Sequence, residues 1–146
     1  MPYYVQPALY FPLCYFAAKY CISADLCLAV VNQESFGDPN AVGDERHSFG
    51  LMQEHVEGAG AGYRPADLLS IPHNLEIGIA YLAEMIQKTG TVEDGLSAYN
   101  QGLAGWKTFG RAVNADYVKS VLAYRESFRL AGWDFDHDRL LIRFAR

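Results

Sequence analysis

A basic patch, a membrane-length apolar run and metal-ligand spacing are all missing from this chain, and each absence removes a class of function. Twelve Lys and Arg against seventeen Asp and Glu leave a net charge of −5. With no Lys/Arg cluster to offset it, nucleic acid is not an expected partner. His47, His55, His73 and His137 show no paired metal spacing. Glu54-His55 with Glu57 lacks the His-Glu-x-x-His arrangement, so no metal and no other cofactor is expected. Cysteine is scarce too: with only Cys14, Cys21 and Cys27, at least one must be unpaired. On one helix Cys14 and Cys21 would stand about 10 Å apart, too far for a disulfide, so all three read as small buried hydrophobes. The aromatic stretch from Tyr3 to Tyr20 lacks a basic leading region, contains Pro7 and Pro12, and meets Lys19 before reaching membrane-spanning length. It therefore reads as neither signal peptide nor transmembrane helix.

What is present suits one globular domain: 146 residues, 51% hydrophobic and 14% aromatic. A first helix is expected from about Pro12 to Cys21. Ser23 is a good N-cap for a second running to Glu34, with Leu26, Val30 and Val31 at helical spacing and Glu34 at i+4 from Val30. Gly37 to Asn40 break it. Residues 41–62, rich in glycine, fit a short hairpin or loop lobe. A third strong helix starts near Pro72 and ends at Thr89, closed by Gly90, with Leu75, Ile79, Leu82 and Ile86 as its stripe. Thr91 can cap a helix through Asn100, and Asn114 one from Ala115 to about Leu130. Gly132 to Arg146 reads as a terminal strand or helix. The expected organisation is an N-terminal aromatic extension packing on the domain (1–22), a catalytic domain (23–130) and a C-terminal tail (131–146). The fold class is mainly α, with a small irregular or hairpin lobe.

Glu34 is the most suggestive single residue. A carboxylic acid at the end of an apolar helix, facing a Gly-containing turn, is a natural general acid. Burial would raise its pKa by disfavouring the charged form. The negative end of its own helix would act in the same direction.

Several segments then line up in order. Gln33-Glu34-Ser35 followed by Pro39-Asn40-Ala41, then Gly50-Leu51-Met52-Gln53, resemble the first two motifs of the soluble lytic transglycosylases. Asn74-Leu75 with Gly78 and Tyr81-Leu82, Ala98-Tyr99-Asn100 with Gly102, and the helix from Tyr117 to Tyr124 are similar to the motifs that follow. The resemblance covers about residues 23–128. Two places depart from it: Val113 stands where the family often has Glu, and Glu54-His55-Val56 replaces an apolar residue followed by Met-Pro or Thr-Pro. The run from Asp44 to Gln53 is also similar to goose-type lysozymes, which share the lysozyme-like fold. An Asp five residues before Phe49 matches that family, whereas His55 stands where its second Asp would be.

The resemblance implies a lysozyme-like α+β fold and a peptidoglycan-cleaving enzyme acting on glycan strands at the bacterial wall. Glu34 would serve as acid and then base. Ser35, Ser48, Gln53, Tyr99, Asn100 and Tyr117 would orient it and the acetamido groups. Gly50 would shape the backbone, and Met52 would offer the sugar an apolar contact. A muramidase using Glu34 and Asp44 is the alternative, and a non-catalytic wall-binding or virion structural component is a third. The small size fits a phage virion or lysis enzyme, or one exported by a separate secretion machinery.

Overall fold

A computed structural model of the protein describes residues 7–133. Helix α1 spans Pro7–Lys19 and α2 spans Ala24–Ser35. A small lobe follows, in which β1 (Val42–Gly43), β2 (Ser48–Phe49) and β3 (Glu54–His55) form an antiparallel sheet in that order. Its register pairs Val42 with Phe49, Gly43 with Ser48, Ser48 with His55 and Phe49 with Glu54. The chain returns to helix with α3 (Pro65–Leu68), α4 (Ile71–Thr89), α5 (Val92–Gln101), α6 (Leu103–Phe109) and α7 (Ala115–Phe128). A short π-type turn, Arg129–Trp133, ends the described chain. The mainly α, lysozyme-like expectation holds, hairpin lobe included. The element expected beyond Trp133 lies outside the described residues.

Helix α2 is the centre of the molecule. Every residue from Ala24 to Asn32 is buried, and α7, α1 and the turn at Arg129–Trp133 pack around it. Such all-round burial overrides amphipathic patterning, which is why the helix lacks a polar face. It stops at Phe36, whose φ of 53° is left-handed and whose N–H returns to the Asn32 carbonyl at 3.1 Å.

Helix α1 starts earlier than expected, because Pro12 lies inside it rather than at its beginning. Proline in a helix interior removes one backbone hydrogen bond; the carbonyl that loses its partner belongs to Ala8, which is exposed. The buried stripe Leu9, Leu13 and Ala17 at i+4 spacing seats the helix on α4 and α2. Cys14 and Cys27 are buried as expected, but Cys21 is exposed. It sits after the helix in a left-handed turn (φ 56°), outside the core.

Cap chemistry sets the other ends. Thr91 Oγ1 accepts from the Asp94 N–H at 3.1 Å at the start of α5, and Gly90 closes α4 at φ 92°. Ser23 and Asn114 occupy N-cap positions without capping through their side chains. The Ser23 hydroxyl instead accepts from Arg125 at 3.1 Å, and Asn114 accepts from Ser97 at 2.6 Å.

Two buried polar devices lock the architecture. The Asn74 amide of α4 donates to the carbonyls of Phe49 and Leu68 and accepts from the Met52 N–H, all at 2.8 Å. Gly50, at φ 79°, passes so close to Asn74 and the Leu68 carbonyl that a Cβ has no room. At the opposite end of α2, Asp25 is only 1% exposed and meets Arg125 at 3.1 Å and Arg129 at 3.4 Å. Removing a partner from a buried ion pair leaves an uncompensated charge. Arg125→Ala should lower the unfolding free energy by roughly 2–4 kcal/mol, Arg129 giving partial compensation; urea denaturation of the variant reads this directly.

Candidate active site

The end of α2, the sheet lobe and α5 enclose a cleft of about 310 Å³. Its walls carry Glu34, Asp44, Ser48, Gln53, Glu54, His55, Tyr81, Tyr99 and Asn100. Glu34 reaches it from the last turn of α2. The Tyr117 hydroxyl, from α7, donates to Glu34 Oε1 at 2.7 Å. Among the described residues no cation pairs with Glu34. Burial raises its pKa to about 7, the charge of Asp44 adds to the rise, and the Tyr117 hydrogen bond opposes it.

Asp44 borders the same cleft and accepts from the Ser48 hydroxyl at 2.6 Å. Its backbone is left-handed, as are those of Glu45 and Arg46 (φ 49°, 53° and 71°). For non-glycine residues this costs roughly 1–2 kcal/mol each, and the Asp44–Ser48 bond helps to hold the turn. Gln53, also left-handed at 52°, uses its amide to tie the carbonyls of Ala41 (3.1 Å) and Gly50 (2.9 Å). The Asn100 side-chain oxygen accepts from Asn114 at 3.0 Å.

Two expected site residues, Met52 and Ser35, turn their side chains away from the cleft, and Gly50 serves as a backbone bend. Met52 is wholly buried, so its side chain offers a sugar no apolar face; its carbonyl accepts from the Tyr99 hydroxyl at 2.7 Å. Ser35 is buried as well and bonds backbone only, donating to the carbonyls of Leu51 at 2.8 Å and Val31 at 3.1 Å. It fastens the end of α2 to the lobe rather than touching Glu34. Gly50 stands behind the cleft, in the close approach to Asn74.

Glu54 was not among the expected residues. It is 1% exposed, lines the cleft, and accepts from Tyr99 at 3.2 Å. Burial is the main cause of a pKa raised to about 8; the Tyr99 hydrogen bond lowers it, and the charge of Glu34 raises it further. The readable signal is register: β3 places Glu54 opposite the buried Phe49, a pairing that an irregular-lobe reading does not supply. Burial likewise holds the Tyr99 and Tyr117 hydroxyls protonated well beyond the ordinary tyrosine range, reinforced chiefly by Glu54 and Glu34 respectively.

With the helical core, the small sheet and an acid-bearing cleft between them, the class is that of a lysozyme-like glycan-cleaving domain. The family model described as "Transglycosylase SLT domain" matches residues 14–120, well over half of the chain, and the protein belongs to that family. Its activity is of the lytic transglycosylase type, directed at peptidoglycan. A comparison with curated proteins finds no match. Among the described residues, no helix is long and apolar enough to cross a membrane.

Glu34, partly buried, and Glu54, fully buried, hold their protons more tightly folded than unfolded, where the ordinary value is 4.5. Their contribution to stability is therefore complete below about pH 4.5 and is lost as pH rises through about 7 and about 8. Denaturation midpoints should fall across that window. A Glu34→Gln/Glu54→Gln double variant should flatten the decline; an unchanged slope would contradict the assignment.

Proposed function

We propose that the protein cleaves the β-1,4 bond between N-acetylmuramate and N-acetylglucosamine, with Glu34 acting first as acid and then as base. The observation that carries this reading is the state of Glu34: a partly buried carboxyl at a cleft wall, unpaired with any cation among the described residues, whose pKa, raised to about 7 by burial, leaves it substantially protonated at neutral pH. That matches what a general acid needs.

In the first step the Glu34 proton passes to the glycosidic oxygen and the bond from that oxygen to muramate C1 breaks. The oxygen of the substrate's own acetamido group stabilises the positive charge at C1, so no enzymic nucleophile is required. Glu34, now ionised, takes the proton from the muramate C6 hydroxyl, and the O6–C1 bond closes a 1,6-anhydro ring. Water is not consumed. The Tyr117 hydroxyl stabilises the ionised form of Glu34 between the two steps, since donation to a carboxylate favours its charge.

One observation favours a second reading. Asp44 lines the same cleft, and its charge acts on Glu34. It is thus a candidate to position water for an inverting muramidase. The intact acid in a substrate-sized cleft weighs against a non-catalytic wall-binding component. The proposed place of action is the bacterial wall, reached by way of a virion, a lysis system or a secretion apparatus.

Mass spectrometry of muropeptides released from purified wall separates the readings. Fragments lighter by one water carry anhydro ends and support the transglycosylase. Full-mass reducing ends would transfer the reaction to a muramidase, in which Asp44→Asn should abolish turnover. Glu34→Gln should reduce lysis by at least about 100-fold, and undiminished clearing of a wall suspension would remove Glu34 from the mechanism.

The pH profile supplies an independent check. Because protonated Glu34 is the active form, kcat/KM should decline as pH rises through about 7. Tyr117→Phe removes the bond that lowers this pKa, so the declining limb should move to higher pH. A shift to lower pH would contradict the role given to Tyr117.

A further inference from the structure

The cleft contains a second acid that the acid-then-base scheme does not use. Glu54 enters from β3 and lies against Gly78 of α4, where an added Cβ would collide with Glu54 Oε1 and with Met52. The missing side chain at Gly78 is thus the space that accommodates the carboxyl. The Tyr99 hydroxyl of α5, which shares its one proton between the Met52 carbonyl at 2.7 Å and Glu54, meets Oε1 at 3.2 Å. Oε2 has no hydrogen-bond partner among the described residues, and Glu54 forms no ion pair there. The other titratable groups around it are Glu34 of α2 and Tyr81 of α4, with Tyr117 of α7 behind Glu34 and His55, Glu57 and Asp44 around the cleft.

We propose that Glu54 is a substrate-binding residue that works as a neutral carboxylic acid, donating a hydrogen bond from Oε2 to an uncharged oxygen, amide carbonyl or hydroxyl, of the bound glycan. Two ionised carboxylates in one cleft, one partly and one fully buried, repel more strongly than they would in water. With no cation to offset them, the arrangement is relieved by keeping one proton on Glu54 while Glu34 gains and loses its own. A protonated carboxyl has one donor and retains acceptor capacity. With the single Tyr99 proton turned to Oε1 rather than to the Met52 carbonyl, the carboxyl's own proton sits on Oε2. There it meets whatever enters the cleft. Burial, the largest cause of the raised Glu54 pKa, acts in the same sense. A carboxylic acid kept neutral by an apolar site so that it can donate a hydrogen bond has precedent in enzymes.

This inference rests on the glycan-cleaving reading, so the experiment separates the two. Steady-state kinetics on solubilised, uncross-linked glycan strands would compare wild type, E34Q, E54Q and E54L. The amide of E54Q can still donate, so KM should rise only about twofold to threefold. E54L cannot donate, and its KM should rise up to about tenfold, the loss of one neutral hydrogen bond, with kcat changed less. The infrared carbonyl band of a protonated carboxyl should persist at pH 6.5 in E34Q and disappear in E34Q/E54Q. Should E54L fail to fold, E54Q and the infrared comparison decide. E54Q as inactive as E34Q would show that Glu54 must ionise, and would overturn the proposal. So would wild-type KM in folded E54L, or no infrared difference between the two E34Q proteins. Undiminished cleavage by E34Q would instead strike the catalytic reading and leave the infrared result to judge Glu54.

Discussion

Three hydrogen bonds from the amide of Asn74 hold the sheet lobe against the helical body, and the cleft exists because that joint is rigid. The lobe has two-residue strands and little apolar surface of its own. It cannot fold on sheet pairing alone. Anchoring Phe49, Met52 and Leu68 to one side chain on α4 fixes where Asp44, Gln53 and Glu54 stand relative to Glu34. The close passage at Gly50 and the room left at Gly78 are the steric counterparts of that joint. Both are places where a side chain would separate lobe from helix.

The second constraint is electrostatic. Four carboxyl side chains, Glu34, Asp44, Glu54 and Glu57, border the cleft, and none is paired with a cation among the described residues. Elsewhere the protein pairs its buried charge, as Asp25 shows with Arg125 and Arg129. The contrast divides the acids by use. The paired one ties helices together; Glu34 and Glu54, unpaired, respond to burial by holding their protons more tightly. Among the described residues the side-chain donors that reach the cleft acids are hydroxyls: Tyr117 on Glu34, Tyr99 on Glu54 and Ser48 on Asp44. A hydroxyl can serve either protonation state, which suits both a Glu34 that changes charge and a Glu54 that keeps its proton.

Much of this was legible in residue order. The stripe of α4 and its closing Gly90, the Thr91 cap of α5 and the apolar run ending at Glu34 follow from local rules, and they sit where those rules put them. Pro12 misled because Ala8, whose carbonyl gives up its helical partner, is an exposed residue, which sequence does not reveal. Ser35 and Met52 stand beside residues that line the cleft, yet neighbours in sequence point in different directions; both turned towards the core. Glu54 was missed for the converse reason. Its glutamate identity suggests solvent, whereas its pairing partner Phe49 places it inside. Such inversions arise where long-range register, absent from local pattern, decides burial.

Helix α7 touches α2 at both ends. Arg125 grips Asp25 near the start of α2, while Ser120 bonds Gln33 and Tyr117 reaches Glu34 near its finish. The two helices therefore behave as a ruler and its slide, clamped at two graduations. Slippage by one helical turn would carry Tyr117 about 5.4 Å away from the acid, and the remote arginine is what forbids it. Alignment of the proton donor is thus fixed in part by a charge pair nine residues along α2 from Glu34, a tether through which a distant substitution would reach the chemistry without altering the cleft's lining.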